Sequence, residues 1–275
     1  MKSLINSRRL LAVAFLTASL LNLYSQNKTN DTYVPEVGQR GKDVVWVPTP
    51  QVLVDTMLSI ARVTPKDFVI DLGSGDGRTV ITAAKRGAQA MGVEFNPDMV
   101  ALSRRNAEQA GVTARAQFVE GDLFQADLSK ATVITMFLLP EINLKLRPKL
   151  LDLKPGTRIV SNTFTMGEWE PDLEVNTPDN WNSWNTALLW IIPAKVEGSW
   201  KVGNDELNLT QEFQFVRGTF TSNGKTTAIS DGRLNGSEIV FTVGNTKYMA
   251  RVDGNNMRGT AANTSSKWDW VAVKK

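Results

Sequence analysis

The 275-residue sequence contains no cysteine and no histidine. Disulfides, thiol nucleophiles, Ser-His-Asp triads, imidazole acid–base catalysis and the common zinc sites are excluded by that alone, and no metal site is expected. Proline is missing from the C-terminal stretch: all 11 prolines fall at or before Pro193. A charge excess in the body of the chain is missing too. The formal net charge of +3 comes from Lys2, Arg8 and Arg9, because residues 1–25 hold no acid and the remainder balances. A balanced body gives no support for a nucleic-acid partner, and none is expected. What the sequence does have is 42% hydrophobic and 21% charged residues, enough to bury a core.

Met1 to about Ser25 reads as a signal peptide. Lys2, Arg8 and Arg9 form a basic start, and Leu10 to Tyr24 is an apolar run broken only by Thr17, Ser19 and Asn22. The run is short for a membrane span and ends in small or polar residues. Leu23-Tyr24-Ser25 offers a tolerable cleavage point. A retained segment would instead be an anchor with its basic side inside. Both readings place the body outside the cytoplasm, periplasmic, extracellular or held at the membrane or envelope. The lack of thiols suits an oxidising compartment.

Residues 26–44 read as a linker, 45–194 as one domain and 195–275 as another. The first domain alternates strands and helices. Asp67 to Leu72 is a short apolar run ending in glycines, as buried parallel strands do. Thr79 to Arg86 has helical spacing, with Gly87 as its stop. Ala88 to Phe95 is a second strand. Pro97 to Ala110 is a helix with Asn96 as N-cap. Ala116 to Glu120, Ala131 to Leu138 and Thr157 to Phe164 are further strands, Glu141 to Leu153 a further helix, and Ala187 to Ile192 a closing strand. This alternation predicts a doubly wound α/β sheet. The last domain shows no helical period. Its short alternating runs, separated by glycines every 8–12 residues or so, predict an antiparallel meander closed as a small β-barrel.

The chemistry concentrates in Val69 to Arg78 (VIDLGSGDGR), between a predicted strand and a predicted helix. Alternate glycines let the backbone turn sharply and let a ligand approach closely. A phosphate-binding loop would need Gly-Lys-Ser/Thr, which Arg78-Thr79 does not supply. Asp71 at the strand end would repel a pyrophosphate and suits a ligand with an ammonium group. Glu94 ends the second strand 23 residues later, about where a carboxylate takes ribose hydroxyls. Asp122 follows the third strand, placed to accept an adenine amino group.

These residues resemble the class I, seven-β-strand S-adenosylmethionine-dependent methyltransferases. The resemblance implies that Asp71, Gly73, Gly75 and Gly77 carry the cofactor loop, Glu94 the ribose and Asp122 the adenine, with Thr49, Ser74, Phe95 and Leu123 beside them. Val47-Pro48-Thr49-Pro50-Gln51, the Asp71–Arg78 loop, Val93-Glu94-Phe95-Asn96-Pro97, Ser103-Arg104 and Phe164 to Asp172 look like a narrower subgroup. It comprises protein-lysine methyltransferases, including the mitochondrial enzymes acting on the ATP synthase c-subunit and the adenine nucleotide translocase. The likeness covers about residues 45–172. In that subgroup the Val-Pro-Thr-Pro segment closes over the cofactor; taken alone, Thr49 before Pro50 also reads as a helix N-cap.

The chain departs from many amino-methylating enzymes after the fourth strand. Met136-Phe137-Leu138-Leu139-Pro140 stands where an Asn/Asp-Pro-Pro-aromatic loop would hold a planar amine. The departure argues against adenine or glutamine methylation and fits an apolar channel for a long aliphatic amine. Phe137, Pro140 and Trp169 are the expected channel residues; no catalytic side chain is assigned.

The expected function is methyl transfer from S-adenosylmethionine to a protein lysine. Alternatives are a small-molecule or lipid methyltransferase, or a non-catalytic exported protein whose barrel aromatics (Trp200, Phe213, Phe215, Phe220, Phe241, Trp268 and Trp270) hold an apolar ligand. Export would carry the body to a compartment where this cofactor is not expected to be made, which leaves three alternatives: a different role for the segment, a body that stays in part cytoplasmic, or cofactor that reaches it outside.

Overall fold

The computed structural model describes residues 33–42, 44–178 and 184–275. The expected signal, residues 1–25, lies outside the described residues, as does part of the expected linker.

Short apolar runs become strands because neighbours on both faces bury them. β1 (Phe68–Leu72), β2 (Gln89–Glu94), β3 (Ala116–Glu120), β4 (Val133–Met136) and β5 (Arg158–Asn162) pair in parallel. β6 (Leu173–Asn176) and β7 (Thr186–Ile191) complete the sheet, in the order β3-β2-β1-β4-β5-β7-β6, with β7 antiparallel to both neighbours. Helices α1 (Gln51–Ile60), α2 (Arg78–Lys85), α3 (Pro97–Gln109) and α4 (Pro140–Leu151) accompany it. The expected Rossmann-like α/β sheet is therefore present.

Local signals explain the helix ends. Asn96 caps α3, its Oδ1 accepting from the Asp98 amide at 2.9 Å, with Pro97 at the first helical position. Gly87 follows α2 with φ +93°, the left-handed stop that glycine supplies without strain. Thr49 is not the cap of α1. Pro50 occupies that position, and Thr49 Oγ1 instead accepts from Asn162 Nδ2 at 3.2 Å.

Eight strands, β8 (Gly198–Val202), β9 (Asp205–Glu212), β10 (Phe215–Ser222), β11 (Lys225–Asn235), β12 (Glu238–Val243), β13 (Thr246–Asp253), β14 (Asn256–Ala262) and β15 (Lys267–Lys274), close into an antiparallel barrel. Closure leaves this sheet without a free edge. Register shifts between Val216 and Thr219 and between Ser230 and Arg233 bend β10 and β11, as bulges do. Gly218 and Gly232 sit there because a Cβ would strike the backbone of the neighbouring strand.

The barrel interior is filled, as small barrels usually are. Trp200, Phe220, Phe241 and Trp270 are buried in one apolar cluster. Trp270 packs edge-on against Phe241 and Tyr248. Phe213 lies against Trp169 in the α/β half, Phe215 carries the Arg233 guanidinium, and Trp268 is partly exposed. The seven aromatics therefore do not form the ligand lumen of the alternative reading. Sheet and barrel belong to one compact unit, Pro35–Lys275.

Candidate active site

In parallel pairing the carboxyl ends of β1 to β5 share one edge. Asp71, on β1, lies opposite Gly92 of β2 and Thr135 of β4. Asp71 is buried, and Thr135 Oγ1 donates to its Oδ1 at 2.6 Å. Burial pushes its pKa up to about 7, and the nearby Glu94 and Asp76 push the same way; the Thr135 and Thr79 hydroxyls oppose them.

The loop after β1 needs its glycines. Gly73, Gly75 and Gly77 have φ +75°, +54° and +83°, where other residues are strained. A Cβ on Gly75 would lie 2.7 Å from Trp46 Nε1, and one on Gly77 would meet the Phe118 ring at 2.7 Å. Gly73 and Ser74 donate their amides to Val93 O, and Gly75 donates to Glu94 Oε2 at 2.9 Å. The Asn96 amide donates to the other oxygen, Oε1, at 2.9 Å. Glu94 is thus locked to the loop.

Asp122 accepts from the Phe124 amide at 2.8 Å and pairs with Lys42 at 2.8 Å. The Lys42 ammonium holds its carboxyl below the usual carboxylate range. Lys42 also stands 4.6 Å above the Phe95 ring.

Two adjoining cavities, of about 510 and 80 Å³, occupy this edge. Thr49, Asp71, Gly73, Ser74 and Gly75 line the larger; Gly73, Glu94, Phe95, Asp122 and Leu123 line the smaller. The larger is of the size that holds a small ligand. Gly77 lines neither and serves close packing at the start of α2. A tight hairpin roofs both cavities: Gly38 donates to Trp46 O, Trp46 to Gln39 O, and Arg40 bridges Val45. The roof was expected from Val47 to Pro50. Residues 39–42 and 44–46 form most of it, with Lys42 and Trp46 the side chains that sequence reasoning missed.

Of the expected channel residues, Phe137 lines both cavities. Phe164 stacks on it at 5.8 Å between centroids and Trp184 meets it edge-on at 5.6 Å; both line the larger cavity. Pro140 starts α4, and its neighbour Leu139 reaches the cavity instead. Trp169 is not a channel wall. It is fully buried at the seam with the barrel, where Gln214 Oε1 accepts from its indole N–H at 2.9 Å.

The site fits an aminoacyl nucleoside with a sulfonium centre. Asp71 is a buried carboxylate whose hydrogen-bond donors are hydroxyls, so an ammonium would complete it. Ser74 Oγ is buried without a partner at the same wall. Glu94 and Asp122 are acceptors for ribose and adenine at the adjoining cavity.

Residues 71–173 match the family model described as the ANTKMT methyltransferase domain. A Saccharolobus islandicus protein described as a protein-lysine N-methyltransferase is 46% identical over 164 residues, 58% of this chain and 97% of that protein. The mouse lysine N-methyltransferase of the ATP synthase c-subunit is 40% identical over 128 residues, 46% of this chain. The chain spans about half of that relative's length, 51%. A solved RNA methyltransferase from Salinibacter ruber, in complex with S-adenosyl-L-homocysteine, is 48% identical with a TM-score of 0.51, covering 55% of this chain and 96% of that one. The barrel lies outside residues 71–173.

Proposed function

This chain belongs to the S-adenosylmethionine-dependent methyltransferase family that contains the Saccharolobus protein-lysine N-methyltransferase, and we propose that it methylates the side-chain amine of lysine in a protein. The observation that carries the acceptor is the aromatic wall. Phe137, Phe164 and Trp184 face the cavity that also holds Asp71 and Gly73. A four-carbon aliphatic chain can lie along such a wall, and the tip of β4 contributes Phe137 and Leu139 in place of the polar acceptors that would hold the amino group of a planar amide or base.

The bound cofactor supplies an activated methyl group on sulfur. Asp71 would hold the ammonium of its amino-acid end, Glu94 the ribose hydroxyls and Asp122 the adenine amino group. The aromatic wall strips water from the incoming lysine, and desolvation favours its neutral, nucleophilic form. The proton leaves to solvent before the amine is enclosed, so no side chain need accept it. The same rings align the amine, and alignment alone contributes roughly 7–11 kcal/mol to such reactions.

Incubation of the protein with tritiated cofactor and cell extract tests this. Label that resists ribonuclease, is lost to protease and yields methylated lysine on acid hydrolysis supports the proposal. Label in RNA supports a second reading, motivated by the Salinibacter structure. Label confined to lipid or small molecules overturns the lysine acceptor.

We also propose that residues 1–25 carry the body out of the cytoplasm. An envelope or secreted form beginning near Gln26 is expected on N-terminal sequencing, and a cytoplasmic chain retaining Met1 would retire the idea.

A further inference from the structure

The β9–β10 hairpin turns through residues that make a poor turn. Glu212 pairs with Phe215, which leaves Phe213 and Gln214 as the two-residue loop. Such loops call for glycine or asparagine where φ is positive. Phe213 has φ +52°, a strained conformation for an aromatic residue. The turn is built for a contact instead. Gln214 is fully buried, and Phe213 stacks on Trp169 at 5.6 Å with the Arg147 guanidinium 5.5 Å from its ring. Gln214 accepts from Trp169 Nε1 at 2.9 Å and donates from Nε2 to Glu170 O at 2.8 Å.

Trp169 closes the loop that carries Phe164. After β5, Thr163 adopts φ +59°, although it is β-branched. The Phe164 amide then donates back to Asn162 O at 2.6 Å, and this tight turn aims Phe164 at the cavity. From there the loop is tied at each step. Asn143 Nδ2 donates to Phe164 O and Thr165 O, Arg147 donates to Met166 O, and Met166 bridges Trp169. The barrel tip holds the far end.

We propose that the Phe213–Gln214 tip is a positioning device for the acceptor wall: the barrel fixes the Phe164 loop through Trp169 and so governs acceptor engagement rather than cofactor binding. The inference rests on the reading that Phe164 faces the acceptor. Strained residues at both ends of one chain of contacts are what a fixed geometry requires. The glycine loop of the cofactor side is fastened separately, by Val93 and Glu94, and Thr49 shares a hydrogen bond with the Phe164 loop, through Asn162.

The test uses the full chain with Gln214→Ala and Phe213→Gly, and Lys195→Ala as a control that removes an exposed ion pair with Asp152. Glycine suits the positive φ, so Phe213→Gly removes the stacked ring from a turn that still forms. Hydrogen exchange is followed over residues 163–166, and methylation is measured with poly-L-lysine as acceptor probe. Both tip variants should exchange there about tenfold faster or more. Their KM for poly-L-lysine should rise about fivefold while calorimetric affinity for S-adenosylhomocysteine stays within about twofold. Lys195→Ala should match the wild type. Folded tip variants with unchanged exchange and KM overturn the inference, as does cofactor affinity that falls in step with acceptor KM. A wild-type protein that methylates no lysine counts against the lysine acceptor, and the exchange measurement then decides the positioning role alone.

Discussion

The Gly75 amide donates to Glu94 Oε2 at 2.9 Å, which makes the loop after β1 and the acid ending β2 one unit. With the Asn96 amide on Oε1, both carboxylate oxygens are engaged before any ligand arrives. Each oxygen retains a lone pair for a ribose hydroxyl. Glu94→Ala would leave two amides unpaired, and hydrogen bonds to charged groups contribute roughly 1.5–3 kcal/mol each. We expect S-adenosylhomocysteine affinity to fall about a hundredfold or more by calorimetry. Glu94→Gln keeps one acceptor oxygen and should lose less. An Ala variant that binds normally would remove Glu94 from the ribose site.

Asp71 predicts a pH dependence with a definite sign. Burial raises its pKa from 3.8 to about 7, so between those values the folded chain holds a proton that the unfolded chain releases. Its contribution to stability is full below the lower value and is lost as pH rises through about 7, to the extent of a few kcal/mol. A ligand ammonium favours the carboxylate, so cofactor affinity should rise over the same window with release of a proton. Thermal unfolding and calorimetry from pH 5 to 8 check both trends, and Asp71→Asn should flatten them.

The sheet was legible because its parallel strands are apolar runs stopped by glycines. β6 was not, since Leu173–Asn176 is mostly exposed at the sheet edge and carries no core pattern. Asp71, Glu94 and Asp122 were legible because spacing along a parallel sheet fixes which strand tips share an edge. The roof was not: Lys42 and Trp46 reach the cavities through a hairpin that no local motif announces. Trp169 was misplaced for a related reason. Its burial depends on Gln214, 45 residues away in the other half, and only tertiary packing joins them.

Arg158 and Asp67 give a stability test separate from function. Arg158 starts β5 and Asp67 precedes β1, so their ion pair lies at the sheet edge opposite the cavities. Arg158 also donates to Ala61 O at 2.6 Å, tying the end of α1 to the sheet. The pair is only partly buried and Asp67 keeps its bonds from Thr64 and Thr132, so losing the charged hydrogen bonds of Arg158 costs about 1.5–3 kcal/mol. Arg158→Ala should lower the denaturation midpoint accordingly, while the folded fraction binds S-adenosylhomocysteine as the wild type does. A midpoint close to wild type would show that Thr64 and Thr132, which also bond Asp67, suffice to hold it.

The aromatic wall separates acceptor from cofactor more sharply than any acid does. Phe137 lines both cavities, whereas Phe164 and Trp184 line the larger one alone. Phe137→Ala should therefore weaken both S-adenosylhomocysteine binding and methylation. Phe164→Ala and Trp184→Ala should raise the acceptor KM about tenfold with cofactor affinity within about twofold, the pattern of a lost contact to one substrate. Steady-state kinetics on poly-L-lysine, with calorimetry on the same samples, distinguish the cases. If Phe164→Ala loses cofactor affinity as strongly as Phe137→Ala, the stacked pair encloses the cofactor itself, and the lysine must enter past Leu139.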